Sequence, residues 1–541
     1  RGRFPNPDLS PIGVKRWIQN LSIFAVNSHT NTFPSMKTIL LTTALLLSTL
    51  NASLIAQWQQ VGQDILGQAE DGYAGYSVSM SNDGLTIVLG DRNAVIDELE
   101  GVGEANVYTL ESGEWMPKGE VVLGTSEYGW CGHDVSLDAS GDVLAVSSIN
   151  TFNAEDNSTG SVRVYDWDGS NWTQRGGLIE GDDNVLGFVT FFGYGIDMSD
   201  DGNAIIIGGP EKWSDDGSLA GPGYSKIFDW DGSAWTQRGM DLYGEAEQMS
   251  FGKAVSISND GQIVAIGGPR LGNLFEELGV VRVFDWNGIA WVQKGQDILG
   301  TMEGDDLGEA VSIANNGNTI AVGAPGYVVG SANVTGEVRV YDWDGATWIQ
   351  RGEDLVSIEA IDAFGTAVSL SDDGMRLGVS AQNLTNNDPI AGNAGAAIVY
   401  EWNGSEWFEI SAPILGTESG EYAGALELSS DGNTFIIGSF GFAPGGRARV
   451  YRDPLTSSTL EESMLDFAVY PNPSDGLITI ISNEDNNLNV IVYNSGGQTV
   501  YTDRLKGQGL YELDLEIAEG IYYLVLITEE ALVTRRISIV K

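Results

Sequence analysis

Seven times along this chain a tryptophan, a turn glycine that usually follows Asp or Asn, and a run of β-branched residues return in the same order. The tryptophans are Trp58, Trp115, Trp172, Trp235, Trp291, Trp348 and Trp407, and the turn glycines are Gly84, Gly141, Gly202, Gly261, Gly317, Gly374 and Gly432. Successive copies of either marker lie 56 to 63 residues apart. A fixed period of this length is the signature of a repeat architecture. It specifies a shape before it specifies an activity, because one repeat scaffold hosts many functions.

One copy runs from Phe251 to Gly295. Phe251–Ser258 alternates as a β-strand, turns at Asn259-Asp260-Gly261 and returns along Ile263–Ile266 to Gly267-Gly268-Pro269. Val280–Trp286 reads as a third strand, and Trp291–Gly295, after Asn287-Gly288, as a fourth. Asp-Gly and Asn-Gly between such runs predict two-residue type I′ hairpins, with positive φ at both central positions. Four short strands per copy make one blade of a propeller, whose radial repetition leaves few exposed sheet edges.

The termini of the repeat predict how the ring closes. Trp58-Gln59-Gln60-Val61-Gly62 precedes the first complete copy, and the seventh copy ends at Arg449-Val450-Tyr451 with no tryptophan strand after it. Residues 57–63 are therefore expected to pair beside residues 447–451, giving an all-β, seven-bladed propeller closed by an N-terminal strand. In this order the hairpins joining strands one to two and three to four share one face. The other face carries the longer segments Asp91–Val102, Ser148–Thr159, Glu211–Pro222, Arg270–Leu278, Gly326–Thr335 and Gln382–Ala394. Variable loops on a rigid scaffold are where binding usually resides, so that face is the expected ligand surface.

Charge narrows the partners. Against 27 Lys+Arg stand 75 Asp+Glu, a net charge of −48. Such a surface repels phosphate backbones and disfavours nucleic acid. The single cysteine, Cys131, rules out an intramolecular disulfide framework. Met36-Lys37, the apolar run 38–50 and a small-residue stretch ending near Ala56 have the order of a signal peptide, residues 36–56, and the run is too short to span a bilayer. Residues 1–35 read as an over-extended translation start, and no transmembrane segment is expected elsewhere.

Candidate chemistry is sparse. The histidines are His29 and His133. Cys131 and His133, two apart on one strand, could share a face as a Cys-His nucleophile pair, but packing beside a structural glycine is the expectation. Loop-face carboxylates abound at Glu70, Asp71, Glu180, Asp182, Asp183, Glu303, Asp305, Asp306, Glu359 and Asp362. Paired carboxylates can hydrolyse glycosides, but so acidic a chain crowds every loop with them. The turn sets Ser199–Gly202, Ser371–Gly374 and Asp166–Gly169, with equivalents at Asp229, Asp285 and Asp342, read as hairpins. They lack the six to eight oxygen ligands that calcium requires. No catalytic, cofactor or metal residue is assigned; loose calcium binding at the blade connections is the alternative kept open. The periodic tryptophans read as blade packing rather than as sugar platforms.

Phe192-Gly193, Phe251-Gly252 and Phe364-Gly365, each followed one strand later by glycine, Gly-Gly-Pro or the like, with Gly323-Ala324-Pro325 the nearest literal match, resemble FG-GAP repeats. The resemblance spans about residues 57–451 and implies an integrin-type propeller. The chain departs from that pattern where such blades carry an Asp/Asn-rich calcium loop, since only short turns stand there.

Past Tyr451 the composition changes. A polar linker, residues 454–465, leads into a β-rich segment, residues 466–541, with expected strands Leu488–Tyr493, Thr499–Leu505 and Ile521–Ile527. Tyr470-Pro471-Asn472-Pro473 with nearby Gly476, then Gly496-Gly497-Gln498, Gly520-Ile521-Tyr522 and the basic end Arg535-Arg536 to Lys541 stand in order. This segment resembles the type A C-terminal sorting domain of type IX secretion, folded as a small β-sandwich. The resemblance implies a sorting signal of Tyr470, Pro471, Asn472, Pro473, Gly476, Gly497, Gly520, Tyr522, Arg535, Arg536 and Lys541, with the type IX machinery as partner. The expected product is a secreted or outer-membrane-surface protein of a Gram-negative bacterium. Its propeller, residues 57–453, is expected to bind an extracellular protein or glycan without being an enzyme. The alternatives are a secreted hydrolase or lyase using loop carboxylates, and a structural surface protein without a discrete ligand.

Overall fold

The alternation of β-branched residues with turn glycines is realised as seven separate antiparallel sheets. The computed structural model describes residues 58–68, 72–151, 159–182, 190–210, 221–245, 249–269, 278–329, 333–357, 363–384, 392–454, 467–470, 477–482, 488–494, 499–505, 509–515, 517–518, 520–527 and 532–539. Every helix or strand among them is a β-strand. The innermost strands are, in blade order, Ser77–Met80, Cys131–Leu137, Ile196–Met198, Ala254–Ile257, Ala310–Ile313, Phe364–Leu370 and Ala423–Leu428. Each pairs with a second strand that is buried on both faces, such as Ala204–Gly209 with its Ile205-Ile206-Ile207 run. The apolar clusters lie between blades: Ala265, Val281 and Val283 of blade four pack with Val311, Ile320, Val322 and Trp348 of blade five.

Two details of the blade differ from the sequence expectation. The outer strand is broken. In blade four Trp291–Gln293 and then Ile298–Leu299 both pair with Val280–Trp286, interrupted at Gly295, whose φ is +81°. The hairpin turns are not type I′ where Asp-Gly or Asn-Gly stands. In Asp168-Gly169-Ser170-Asn171 only Gly169 has positive φ, at the first central position, which is the type II′ arrangement. Asp168 Oδ1 instead accepts the backbone N–H groups of Ser170 and Asn171, both at 2.8 Å. Blade one alone places two successive positive φ values in this turn, at Ser112 and Gly113. The turns between strands one and two are capped in the same way: Asp201 Oδ1 accepts from Ser199 Oγ at 2.8 Å and from Asn203 N at 2.9 Å. Both Asp sets are thus engaged in shaping turns.

Tryptophan, basic residue and glycine form one unit of blade-to-blade attachment. The indole N–H of each of six outer-strand tryptophans donates to a carbonyl of the preceding blade. Trp115 reaches Val61 at 2.8 Å, Trp172 reaches Lys118 at 2.8 Å and Trp348 reaches Lys294 at 2.7 Å. Trp235, Trp291 and Trp407 reach Arg175, Arg238 and Arg351 in the same way. Those basic side chains lie over the next blade's tryptophan pair, Arg175 at 5.0 Å from the Trp230 ring. They also donate to its turn carbonyl: Lys118 to Gly141 at 2.7 Å, Arg175 to Gly202 at 2.9 Å, Lys294 to Gly317 at 2.8 Å. The glycine after each basic residue is required by contact as well as by conformation. A Cβ on Gly176 would sit 2.6 Å from the Trp230 ring at a φ of +75°.

The ring closes through its first residues. Gln59 and Gln60 pair with Arg452 and Tyr451, and Ile65 and Leu66 with Ala448 and Arg447, so the N-terminal segment supplies both halves of the last blade's outer strand. Trp58 is buried against Phe435, ring centroids 4.8 Å apart, and Asp64 pairs with Arg447 at 2.9 Å. The C-terminal strands form a separate sandwich. Phe467–Tyr470, Leu477–Ser482 and Gly509–Asp514 make one sheet; Thr499–Leu505, Leu488–Asn494, Gly520–Ile527 and Leu532–Ile539 make the other. Ile478, Ile480, Val490, Val492, Leu524 and Ile537 are in the core between them.

If Trp58 holds the seam, Trp58→Ala should lower folding stability by about 3–5 kcal/mol, the usual cost of truncating a buried aromatic. A large fall in the urea unfolding midpoint of the full chain would confirm this, and an unchanged midpoint would not.

Candidate functional site: the central channel

An innermost blade strand has a pairing partner on one side only, and its free N–H groups face the axis. Buried backbone donors must be satisfied, so the wall of the channel is where side-chain acceptors are demanded. All seven joints between neighbouring innermost strands are made this way. Ser79 Oγ accepts from Leu137 N at 3.0 Å, Ser312 from Leu370 N at 3.0 Å and Ser369 from Leu428 N at 3.0 Å. Ser256 accepts from Ile313 N at 3.2 Å. At the remaining joints carboxylates take the role: Asp134 accepts from Ile196 N and Asp197 from Ile257 N, both at 2.8 Å, and Glu427 accepts from Met80 N and bonds Ser79.

Those three carboxylates share one channel of about 510 Å³. They keep some accessible surface, which lines the channel. Burial pushes Glu427 up to about 8, with the charge of Asp197 adding to it. Burial likewise raises Asp134 to about 7 and Asp197 to about 6. Glu427 therefore carries its proton at neutral pH and donates as well as accepts.

The channel mouth opens on the face of the long connections, since the innermost strands start there. In six blades the residue just after the glycine at the start of the innermost strand lines it: Tyr76, His133, Tyr194, Lys253, Glu309 and Thr366. Blade seven lacks this residue, and Phe440 reaches the mouth instead. The rings form a continuous arc. Centroid separations are 5.4 Å for Tyr422–Phe440, 5.6 Å for Phe440–Tyr76, 5.3 Å for Tyr76–His133 and 4.6 Å for His133–Tyr194. Arg92 lies 3.9 Å over the Tyr76 ring, and Lys253 pairs with Glu309 at 2.7 Å. Burial, reinforced by Arg92, lowers His133 to about 3, so the imidazole is neutral.

Sequence reasoning sought the site in the long loops and missed this ring. Of the six long segments, Asp91–Val102 is described throughout, while central residues of the other five lie outside the described residues. Cys131 and His133 do not share a face: the register shifts between Cys131 and Val135, with Gly132 at φ +78°. Cys131 packs in the apolar cluster of blades one and two, where burial raises its thiol to about 11, far from a reactive thiolate. Among the loop carboxylates, Asp182 pairs with Lys226, and Asp305 accepts from Thr301 N at 2.7 Å and Leu307 N at 3.2 Å. Glu180 ends an outer-strand segment, Glu303 and Asp306 lie on the connection into blade five, and Glu70, Asp71, Asp183, Glu359 and Asp362 lie outside the described residues.

Of the expected sorting residues, Tyr470 ends the first sandwich strand opposite Thr479, and Gly520 opens the strand that carries Tyr522. Tyr522 is buried and donates its hydroxyl to Ala518 O at 3.0 Å. Arg535 and Arg536 pair along the backbone with Leu524 and Tyr523. Pro471, Asn472, Pro473, Gly476, Gly497 and Lys541 lie outside the described residues, as do the leader and signal segments, residues 1–56. Among the described residues no three His, Cys, Asp or Glu side chains are grouped to hold a metal ion, and no helix is long and apolar enough to cross a membrane.

The raised carboxyls give a signed pH dependence. Their folded values exceed the ordinary 3.9–4.3 of the unfolded chain, so the native state binds more protons. Their contribution favours folding fully below about pH 4 and is lost as pH rises through 6 to 8. The urea midpoint should fall between pH 5 and pH 9, and Glu427→Gln should flatten that fall; an equal slope in wild type and variant would contradict the assignment.

No curated protein matches the chain. Residues 468–540 match the family model of the secretion system C-terminal sorting domain, so the sandwich following the propeller is a sorting domain of type IX secretion and directs export of the chain to the outside of the cell.

Proposed function

We propose that the propeller is an extracellular binding module, displayed on or released from the outer surface of a Gram-negative cell, which takes its ligand at the channel mouth. The observation that carries this is where the repeat fails. Around the mouth position the six copies agree: glycine precedes it, and Val or Ile stands two residues after it. At the mouth they hold Tyr, His, Tyr, Lys, Glu and Thr. Residues that recur in all blades build the ring, whereas an arc of unlike side chains over a polar channel, partly exposed apart from the buried His133, has the make-up of a recognition site. Binding without turnover is supported by the engagement of Asp182 in an ion pair and of Asp305 in backbone caps. Kinship with FG-GAP propellers is supported by the burial of Phe192, Phe251 and Phe364 beside glycines at φ of +90° to +94°. No cofactor is required for this role.

The test is a printed array of extracellular proteins and glycans probed with the labelled full chain, with and without calcium. Binding to at least one class, lost in Tyr76→Ala at an unchanged unfolding midpoint, is the expected result. An array with no bound spot in either condition would leave a structural surface role and refute the binding module. For export, deletion of residues 466–541 should retain the propeller in the periplasm; normal surface display of the truncated chain would contradict the sorting assignment.

A further inference from the structure

The channel is open at one end and obstructed at the other. At the hairpin face, successive blades are tied by backbone hydrogen bonds that run round the axis. Asn82 N donates to Ala139 O at 3.0 Å, Ala139 N to Asp200 O at 3.1 Å and Asp200 N to Asn259 O at 3.0 Å. The circuit resumes from Asn315 N to Asp372 O at 3.1 Å, Asp372 N to Ser430 O at 2.8 Å and Ser430 N back to Asn82 O at 3.1 Å. Side chains cross the space inside this circuit. Asn82 reaches over blade two to Asp200 at 3.3 Å, and Asn259 bridges Asp200 at 2.8 Å and Asp372 at 3.2 Å. Asn315 adds a contact to Asp372 at 3.3 Å. The result is a polar floor under a mouth rimmed by aromatic rings.

We infer that this well receives the terminal residue of a neutral oligosaccharide, end-on, an inference that rests on the binding role proposed above and names its ligand class. The cavity, about 510 Å³, falls within the roughly 300–1,000 Å³ of pockets that hold one small ligand. At the rim, the partly exposed rings of Tyr76, Tyr194 and Phe440 offer aromatic surface to the apolar C–H face of a pyranose ring, with Arg92 covering one face of Tyr76 and Tyr422 stacked on Phe440. Below them the wall offers hydrogen bonds of both senses. Ser312 and Ser369 accept a backbone N–H and keep their own O–H to donate. Glu427 holds its proton near neutrality, and Asp197 accepts.

Charge selects against the other classes. An anionic sugar or a phosphate would meet Asp197, Asp200 and Asp372, and Lys253 at the rim is already paired with Glu309. The obstructed floor selects for topology: a chain end can enter, whereas an internal segment would need a second exit.

The discriminating experiment uses the labelled full chain on three sets of probes. These are linear neutral oligosaccharides tethered through their reducing ends, cyclic oligosaccharides of matching linkage, and unmodified peptides. Binding to the linear set, competed by the free disaccharide of the same linkage and absent from the cyclic set, is expected. Thr366→Trp, which fills the mouth from a position outside the seven joints, should weaken it by about tenfold or more, equivalent to about 1.4 kcal/mol. Tyr194→Ala should weaken it independently. Equal binding to cyclic and linear probes overturns end-on recognition. Glycan binding indifferent to both variants overturns the well as the site. Binding to peptides alone overturns the ligand class and leaves the binding role standing, whereas no binding to any probe sinks both.

Discussion

The architecture depends on how the inner edge of each sheet is satisfied. A propeller blade ends at the axis in a strand with nothing beside it, and seven such edges meet around one channel. Unanswered, their N–H groups would be buried donors, each costing about 1–3 kcal/mol. The chain answers each from the neighbouring blade, by a serine hydroxyl at four joints and a carboxylate at three. The same bonds hold one blade to the next, so edge protection and ring assembly are one interaction. At the perimeter, the tryptophan indoles and the basic side chains do the corresponding work against carbonyl groups. Apolar burial between blades supplies the bulk of the driving force, and these two polar belts set the register in which it is applied.

This division explains why the wall can carry carboxylates at all. Elsewhere some buried acids are matched with cations, Glu401 with Arg376 and Glu421 with Arg447 and Arg449, while Asp305 accepts backbone N–H groups. In the channel, Asp134, Asp197 and Glu427 are matched with backbone donors instead, which compensate a neutral or partly ionised carboxyl adequately and a full charge poorly. Burial raises their titration, and the backbone donors offset only part of that rise. A channel so built presents hydrogen-bonding groups of both senses together with acidic side chains such as Asp197, Asp200 and Asp372.

The ring and its closure were legible in the sequence because every element that builds them recurs: the period of the tryptophans, the leftover first copy and the missing last one. Turn type was not legible. The choice between types I′ and II′ depends on whether Asp adopts positive φ or caps its neighbours' N–H groups, and capping prevails. The broken outer strand escaped notice because its break falls at a glycine whose demand comes from the adjacent blade's tryptophan. The site escaped for the opposite reason. A search for sameness treats Tyr76, His133 and Tyr194 as noise between conserved neighbours within the repeat, and Asp197 and Glu427 as deviant serines. Aligning the seven copies and reading the column that disagrees would have found both. No such reading could have parted Cys131 from His133, since the irregularity between them is a property of the paired strand.

The seam between Trp58 and Arg452 has a temporal meaning as well as a geometric one. Asp64 and Arg447 meet across a sequence separation of 383 residues, so the ring's first strand has no partner until the last blade has followed it. Until then the chain is an arc with two raw ends, and the strand Arg447–Arg452 offers an unpaired edge to any extended segment nearby. Loop-closure entropy over such a separation grows only slowly with length, so the delay is set by delivery of the chain more than by the cost of joining its ends. A propeller clasped in this way cannot mature piecemeal: its last act of folding is to find its own beginning.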